Sequence, residues 1–363
     1  MSNLGLEELQ SILERNSQLR EERKFDQAID LVKESLELFI SDTNSEFELL
    51  YALIETYFYN NQLTEACATG EKLLSLSKNI LSIEKLIKAI LLVGEVYHIA
   101  GNLEKAEILY GRAYELAKEG TVEIPIDLKE ESIYALANLN QHYIGNYKRS
   151  YQLYEEALAY VKKYKLEKQS FYIDHLAMAS LTMDQYDKAL ELQKEAEKFI
   201  SNKLDINYLY HQIQKALVYF KMKNFNQVII ELIKFLEPNK QSIEKFNDVY
   251  DFGWIYLILA NTLASIPTFD DLNLEKIEQI LHVNTQDPDY YFKKSLEYAE
   301  KSPYSKSLQI TCKIDYVKFL FSKNTNMEQA TRLLEEALDV ASNRQYRPLV
   351  HEALAVKKQF IVN

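Results

Sequence analysis

Six histidines, two cysteines and several paired acids are the side chains here whose types could do chemistry. The histidines are His98, His142, His175, His211, His282 and His351. No two stand three or four residues apart, so none forms the helical metal pair of a zinc hydrolase. Cys67 and Cys312 give neither a disulfide framework nor a metal quartet. Neither has a local arrangement of histidine and acid that would mark a nucleophile, so a buried core role suits both. Asp270-Asp271-Leu272-Asn273 has the acid spacing of a calcium loop over four residues, but the central glycine and distal acid are missing. Pairs such as Glu7-Glu8, Glu21-Glu22, Glu130-Glu131 and Glu335-Glu336 are ordinary on solvated helix faces. A glycosidase would need two acids converging across a cleft. No glycine-rich phosphate loop occurs. Without a site signature, neither catalysis nor a metal or organic cofactor is expected.

Composition narrows the scaffold that must position any binding residues. The 363 residues allow two or three domains or one extended repeat array. With 8 glycines and 6 prolines, the chain is far below the usual ~7% and ~5%. An α/β enzyme or a β-sandwich would lack its turn residues, and a nearly all-helical protein is predicted. The formal net charge of -12 repels duplex nucleic acid. The N-terminus MSNLGLEELQ has no basic apolar signal segment. The longest apolar run, Phe252 to Ala260, is FGWIYLILA, far short of the ~20 residues that span a bilayer. The expectation is a soluble cytoplasmic protein with neither nucleic-acid nor membrane partners.

One short pattern recurs: a polar turn residue, an aromatic residue or leucine, two polar residues, then a small residue opening an apolar run. It occurs as KFDQA, QLTEA, NLEKA, NYKRS, QYDKA, NFNQV and NMEQA. The closing residues are Ala28, Ala66, Ala106, Ser150, Ala189, Val228 and Ala330. The first five spacings are 38, 40, 44, 39 and 39, and the last gap of 102 leaves room for one degenerate unit with its anchor near Pro288. Periods of this size mark solenoids. In the clearest unit, Ile90, Val93, Gly94 and Tyr97 share one helical stripe, and Ala106, Leu109, Tyr110 and Ala113 share another. Gly94 and Ala106 let two helices approach closely, and stacked hairpins then bury a continuous core.

Gly94, Tyr97, Ala106, Tyr110 and Ala113 carry a resemblance to the tetratricopeptide repeat superfamily, which the other units match in part over roughly residues 8 to 342. The resemblance implies an all-α, right-handed α-solenoid of about eight hairpins. The long period resembles the peptide-sensing regulators of Gram-positive bacteria and their phages, and also kinesin-light-chain-like adaptors. The first repeat begins by about residue 8, so the N-terminal effector domain of the regulators is not expected here. The expected organisation is residues 1–265 for six hairpins and the first helix of the seventh. Residues 266–286 would be an insertion, and 287–363 would complete the array with a C-terminal capping helix. Leu274, Ile277, Ile280 and Leu281 would form a short helix in the insertion, which is either a binding element or a plain solvent-exposed decoration. Asp127, Ser302 and Asp287 read as helix caps near Pro125, Pro303 and Pro288.

The resemblance also implies which positions face the concave groove. They are Glu48, Tyr51, Glu55 and Tyr59 in the second unit, and Glu95 and His98 in the third. His142, Asp174 and Tyr210 follow in the next three units, with Leu217 and Phe220 after Tyr210. Tyr250, Trp254 and Leu257 come from the seventh. The two adjacent histidines either hydrogen-bond a ligand or sit as half-buried polar residues. The aromatics either line the groove or are buried by tight superhelical turning. The expected function is a non-catalytic scaffold or adaptor for a protein or short peptide, with a receptor for a signalling peptide as the alternative. Clustered glutamates beside Tyr51 would favour a ligand with basic and apolar residues, unless they are ordinary solvated residues paired with lysines. An apolar C-terminal end containing Phe319, Leu320, Phe321 and Leu354 suggests a homodimer.

Overall fold

A computed structural model describes residues 3–39, 42–78, 82–119, 124–164, 167–200, 206–239, 250–266, 274–283, 285–301 and 305–360. Every regular element among the described residues is helical. The chain divides into two compact units, Met1–Leu139 and Asn140–Asn363. The first contains α1 (Asn3–Glu21), α2 (Phe25–Leu38), α3 (Thr43–Tyr59), α4 (Leu63–Ser77), α5 (Ile83–Ala100), α6 (Leu103–Lys118) and α7 (Ile126–Leu139). The second opens with a π-helical turn, Asn140–Ile144, followed by α8 (Tyr147–Tyr164), α9 (Gln169–Thr182), α10 (Tyr186–Ala196), α11 (Ile206–Lys221) and α12 (Phe225–Asn239). It continues with α13 (Tyr250–Ser265), α14 (Leu274–Leu281), α15 (Pro288–Lys301), α16 (Lys306–Lys323), α17 (Met327–Asn343) and α18 (Arg347–Phe360).

The recurring pentapeptide is the start of the second helix of each hairpin. Its first residue accepts the first helical hydrogen bond and its last residue donates it. Ala28 donates to Lys24, Ala66 to Gln62, Ala106 to Asn102 and Ala330 to Asn326, at 2.9–3.1 Å. Asn102, Asn146 and Asn224 also cap with their side chains, accepting from Lys105, Arg149 and Gln227. All seven anchors are 0% exposed, because the small residue is where the two helices touch. Gly94 is the matching gap on α5: a Cβ there would lie 2.7 Å from a Tyr110 ring carbon.

The degenerate unit departs from this rule. Its helix α15 starts at Pro288, so the residue at the anchor position is Tyr291, not Pro288. Tyr291 is buried. Gly253 on α13 lies close against α15 and α16: its carbonyl accepts from Ser295 Oγ at 2.9 Å, and a Cβ would come 2.5 Å from Leu308. Asp287 does cap α15, accepting from the Asp289 amide at 3.0 Å. Asp127 does not cap α7, because that helix starts one residue earlier and Asp127 falls in its first turn. Ser302 and Pro303 lie outside the described residues.

Between α13 and α15, Leu274, Ile277, Ile280 and Leu281 form α14 with all four side chains buried. The helix lies against α12, with Lys276 Nζ 2.7 Å from Glu237. At the C-terminal end, α18 packs on α17 and α16 and also reaches the π-helical turn.

Candidate functional site

In the 1–139 unit, Glu48, Tyr51, Glu55 and Tyr59 stand three and four residues apart on α3 and so share one face. Tyr51 is half-buried. Its phenol is raised, by burial first and then by the charges of Glu55, Glu131, Glu95 and Glu48. Four carboxylates from α3, α5 and α7 therefore act on one ring. Cations answer part of that field: Lys85 Nζ is 2.9 Å from Glu48, and Arg20 Nη1 is 2.9 Å from Glu55. The Arg20 guanidinium also lies 5.6 Å from the centre of the Tyr59 ring, which is 57% exposed. Glu95 reaches water but is partly desolvated. That partial desolvation, followed by Glu131 and Glu55, raises its carboxyl. His98 stands apart from this face: it is buried and packs edge-on to Tyr110, ring centres 6.4 Å apart.

In the 140–363 unit, Asp174 is buried rather than presented in a groove, because His211 on α11 takes its carboxylate at 2.9 Å. Burial raises the Asp174 carboxyl, against the opposing pull of His211. The chain of buried polar groups continues through Lys215, which pairs with Glu197 at 3.0 Å and Glu231 at 3.6 Å. His142 in the π-helical turn and His175 on α9 have ring centres 6.5 Å apart. Burial pushes them down to about 4 and about 3, respectively, so both rings are neutral. Tyr210 is half-buried 5.9 Å from His175. The side chain of Tyr250 lies outside the described residues.

A cleft of about 450 Å³ opens among α11, α13, α16 and α18. Leu217, Phe220, Trp254, Leu257 and Phe319 form its apolar wall. A line of polar groups crosses it. Asn261 Nδ2 donates to Asp315 at 2.8 Å, and Lys318 Nζ reaches Asp315 at 2.9 Å and Glu352 at 2.6 Å. Desolvation works against the Lys318 ammonium, but Asp315 and Glu352 outweigh it and raise its pKa above the ordinary lysine value. These groups can hold a ligand by apolar contact along one wall and by backbone or charged hydrogen bonds along the other.

The structure thus gathers the α3 and α5 glutamates with Tyr51 and Tyr59, and gathers Trp254 with Leu217, Phe220 and Leu257. It leaves His98 and Asp174 inside the helical packing. The sequence reading missed Asn261, Asp315, Lys318 and Glu352. The Asp315/Lys318 spacing of three was a visible signal of a helix-face pair, but nothing in it pointed to a cleft.

No protein-family model matches the sequence, and no curated protein matches it significantly. Solved structures do share the fold. The apo form of the quorum sensor NprR from B. thuringiensis superposes with TM-score 0.60 at 13% identity, over 91% of this chain and 86% of that one. The Rap conjugation gene regulator of plasmid pLS20, in complex with the Phr* peptide, gives 0.59 at 12% identity, over 95% and 97%. A Rap protein complexed with Competence and Sporulation Factor gives 0.56 at 14%, over 98% and 97%. The chain has the tetratricopeptide-like helical repeat fold.

Proposed function

We propose that this chain is a non-catalytic receptor for a short peptide, bound in the cleft among α11, α13, α16 and α18. The cleft itself carries the reading. Its volume of about 450 Å³ suits a few side chains of an extended segment better than a folded domain. Trp254, Phe220 and Phe319 offer rigid aromatic contact area, which dominates recognition energies. Asn261, Asp315 and Lys318 can satisfy peptide backbone and end groups. The fold shared with a regulator solved with a peptide supports the same reading. The bound receptor would act on a partner protein in the cytoplasm, as an adaptor or regulator.

Selection from a random heptapeptide display library tests this. Enriched peptides should bind the purified chain and quench or shift Trp254 emission. Trp254→Ala or Phe220→Ala should weaken them about 10- to 100-fold, as hot-spot truncations do. A library without enrichment, or peptides indifferent to both substitutions, would end the proposal.

The acidic face around Tyr51 favours a basic residue in the ligand or in a protein partner. Glu55→Gln with Glu95→Gln should weaken such binding and flatten its salt dependence. Unchanged affinity and salt dependence would remove that face. A homodimer through the C-terminal end would rest on a small surface. Leu320 is buried, Phe321 stacks under Phe360, and Leu354, 49% exposed, is the exposed large apolar residue of α18. Sedimentation at the 42.5 kDa chain mass would exclude the dimer.

A further inference from the structure

Building on the cleft just described, we infer that α18 is its latch, joining the cleft mouth to the π-helical turn at residues 140–144. The helix is held at three places. At its start, Tyr346 packs edge-on to Tyr143 of the turn, ring centres 4.7 Å apart at 62°. Beside it, Pro348 sits so close that a Cβ on Gly145 would lie 3.1 Å from its Cγ, and Gly145 has φ +81°. A residue with a side chain would be both strained and crowded there. In the middle of α18, Glu352 binds Lys318 on α16 at 2.6 Å. The same carboxylate acts on the Tyr147 phenol of α8, which burial and then Glu352 raise. At the far end, Phe360 stacks on Phe321 at 4.8 Å.

Glu352 also lines the cleft together with Trp254. One helix therefore touches the first residues of the unit, α16, and the cleft. Its hold in the middle is open to solvent and to competing anions. Lys318 and Glu352 are 40% and 41% exposed, and ion pairs this wet add little stability. A ligand carboxylate that takes Lys318 as its partner competes with Glu352 and loosens α18. The π-helical turn is itself an uncommon backbone state, of a kind often met at functional sites, and it loses the Tyr346 and Pro348 contacts when α18 moves. Cleft occupancy is thereby coupled to the surface formed by α18 and residues 140–147.

The test needs no ligand, because Trp254 is the one tryptophan in the sequence. In the full chain, Glu352→Gln should raise acrylamide quenching of Trp254 about twofold and speed amide exchange over residues 140–147 about two- to fivefold, the range open to a surface pair. Exchange in α3 to α6 should stay unchanged. From the other end, Tyr346→Ala should also raise Trp254 quenching, while Tyr346→Phe, which keeps the ring, should not. Unchanged quenching in Glu352→Gln and Tyr346→Ala would overturn the latch. So would raised quenching in Glu352→Gln without faster exchange at 140–147. If library peptides bind but these variants show no coupling, the latch fails and the peptide reading survives. If the variants show coupling and no peptide is enriched, the peptide reading fails and the latch stands.

Discussion

A histidine ring takes a proton only where water or an anion can share the charge, and His175 has little of either. It stacks on Tyr154 at 4.7 Å, meets Phe171 edge-on at 4.5 Å, and faces His142. Burial, and then His142, lower its pKa from 6.5 to about 3. Between those values the unfolded chain binds a proton that the folded chain refuses. The stability that neutral His175 contributes is whole above pH 6.5 and falls as the pH drops through that window. At pH 5 the loss should be about 2 kcal/mol. Urea unfolding at pH 7 and pH 5 should therefore show a falling midpoint, and the fall should shrink in His175→Gln, which does not titrate. The spacing of His98 and His142 one unit apart is plain in the sequence. Which ring meets water is not, because a covering residue such as Tyr110 over His98 or Tyr154 over His175 comes from another helix.

At the scale of the element, one turn recurs through the array. A residue in the left-handed region ends the first helix, and the next amide bonds back to the carbonyl five residues earlier. Gln62 bonds to Tyr57, Asn102 to Tyr97, Asn224 to Tyr219 and Thr325 to Leu320, at 2.8–3.1 Å. The left-handed residue is Gly101 in one hairpin, but Arg23, Asn61, Asp184, Lys223 and Asn324 in others, and Gln345 makes the same turn between α17 and α18. Side chains with a Cβ are strained there. Lys223→Gly should thus stabilise the protein by about 0.5–1 kcal/mol, and Gly101→Ala should destabilise it by about 1 kcal/mol. Thermal or urea unfolding of both variants checks the signs. This turn explains how a chain with 8 glycines makes so many hairpins. The pentapeptide was legible because its cap and its buried small residue are both local. The shifted anchor at Tyr291 was not, since the ring it packs against, Tyr256, comes from a different helix.

For the whole molecule, the two compact units divide at residues 139 and 140, between the anchors Ala106 and Ser150 of successive repeats. Each unit buries its own core, and repeat arrays gain stability from neighbouring contacts rather than distant ones. Unfolding should not be a single all-or-none event. Trp254 reports only the 140–363 unit, whereas helical circular dichroism reports both. The two probes should give urea transitions with different midpoints, and superimposed curves would contradict separate cores. The short α14 belongs to the same scale: its four apolar residues predict a helix, and only the fold shows that they close against α12.

By itself the sequence determined what local chemistry can encode. Composition excluded sheet folds, the pentapeptide located seven hairpins, and helical periodicity put Glu48, Tyr51, Glu55 and Tyr59 on one face. Caps, turns and small-residue contacts depend on neighbours within a few positions, so they are written in order along the chain. The tertiary structure decided what depends on residues far apart. It paired Asp174 with His211, set Lys318 between Asp315 and Glu352, and brought Tyr346 to Tyr143. Burial and electrostatic partnership are properties of the space between helices. A side chain's helical position gives its direction, but what stands opposite it follows only from how the hairpins stack.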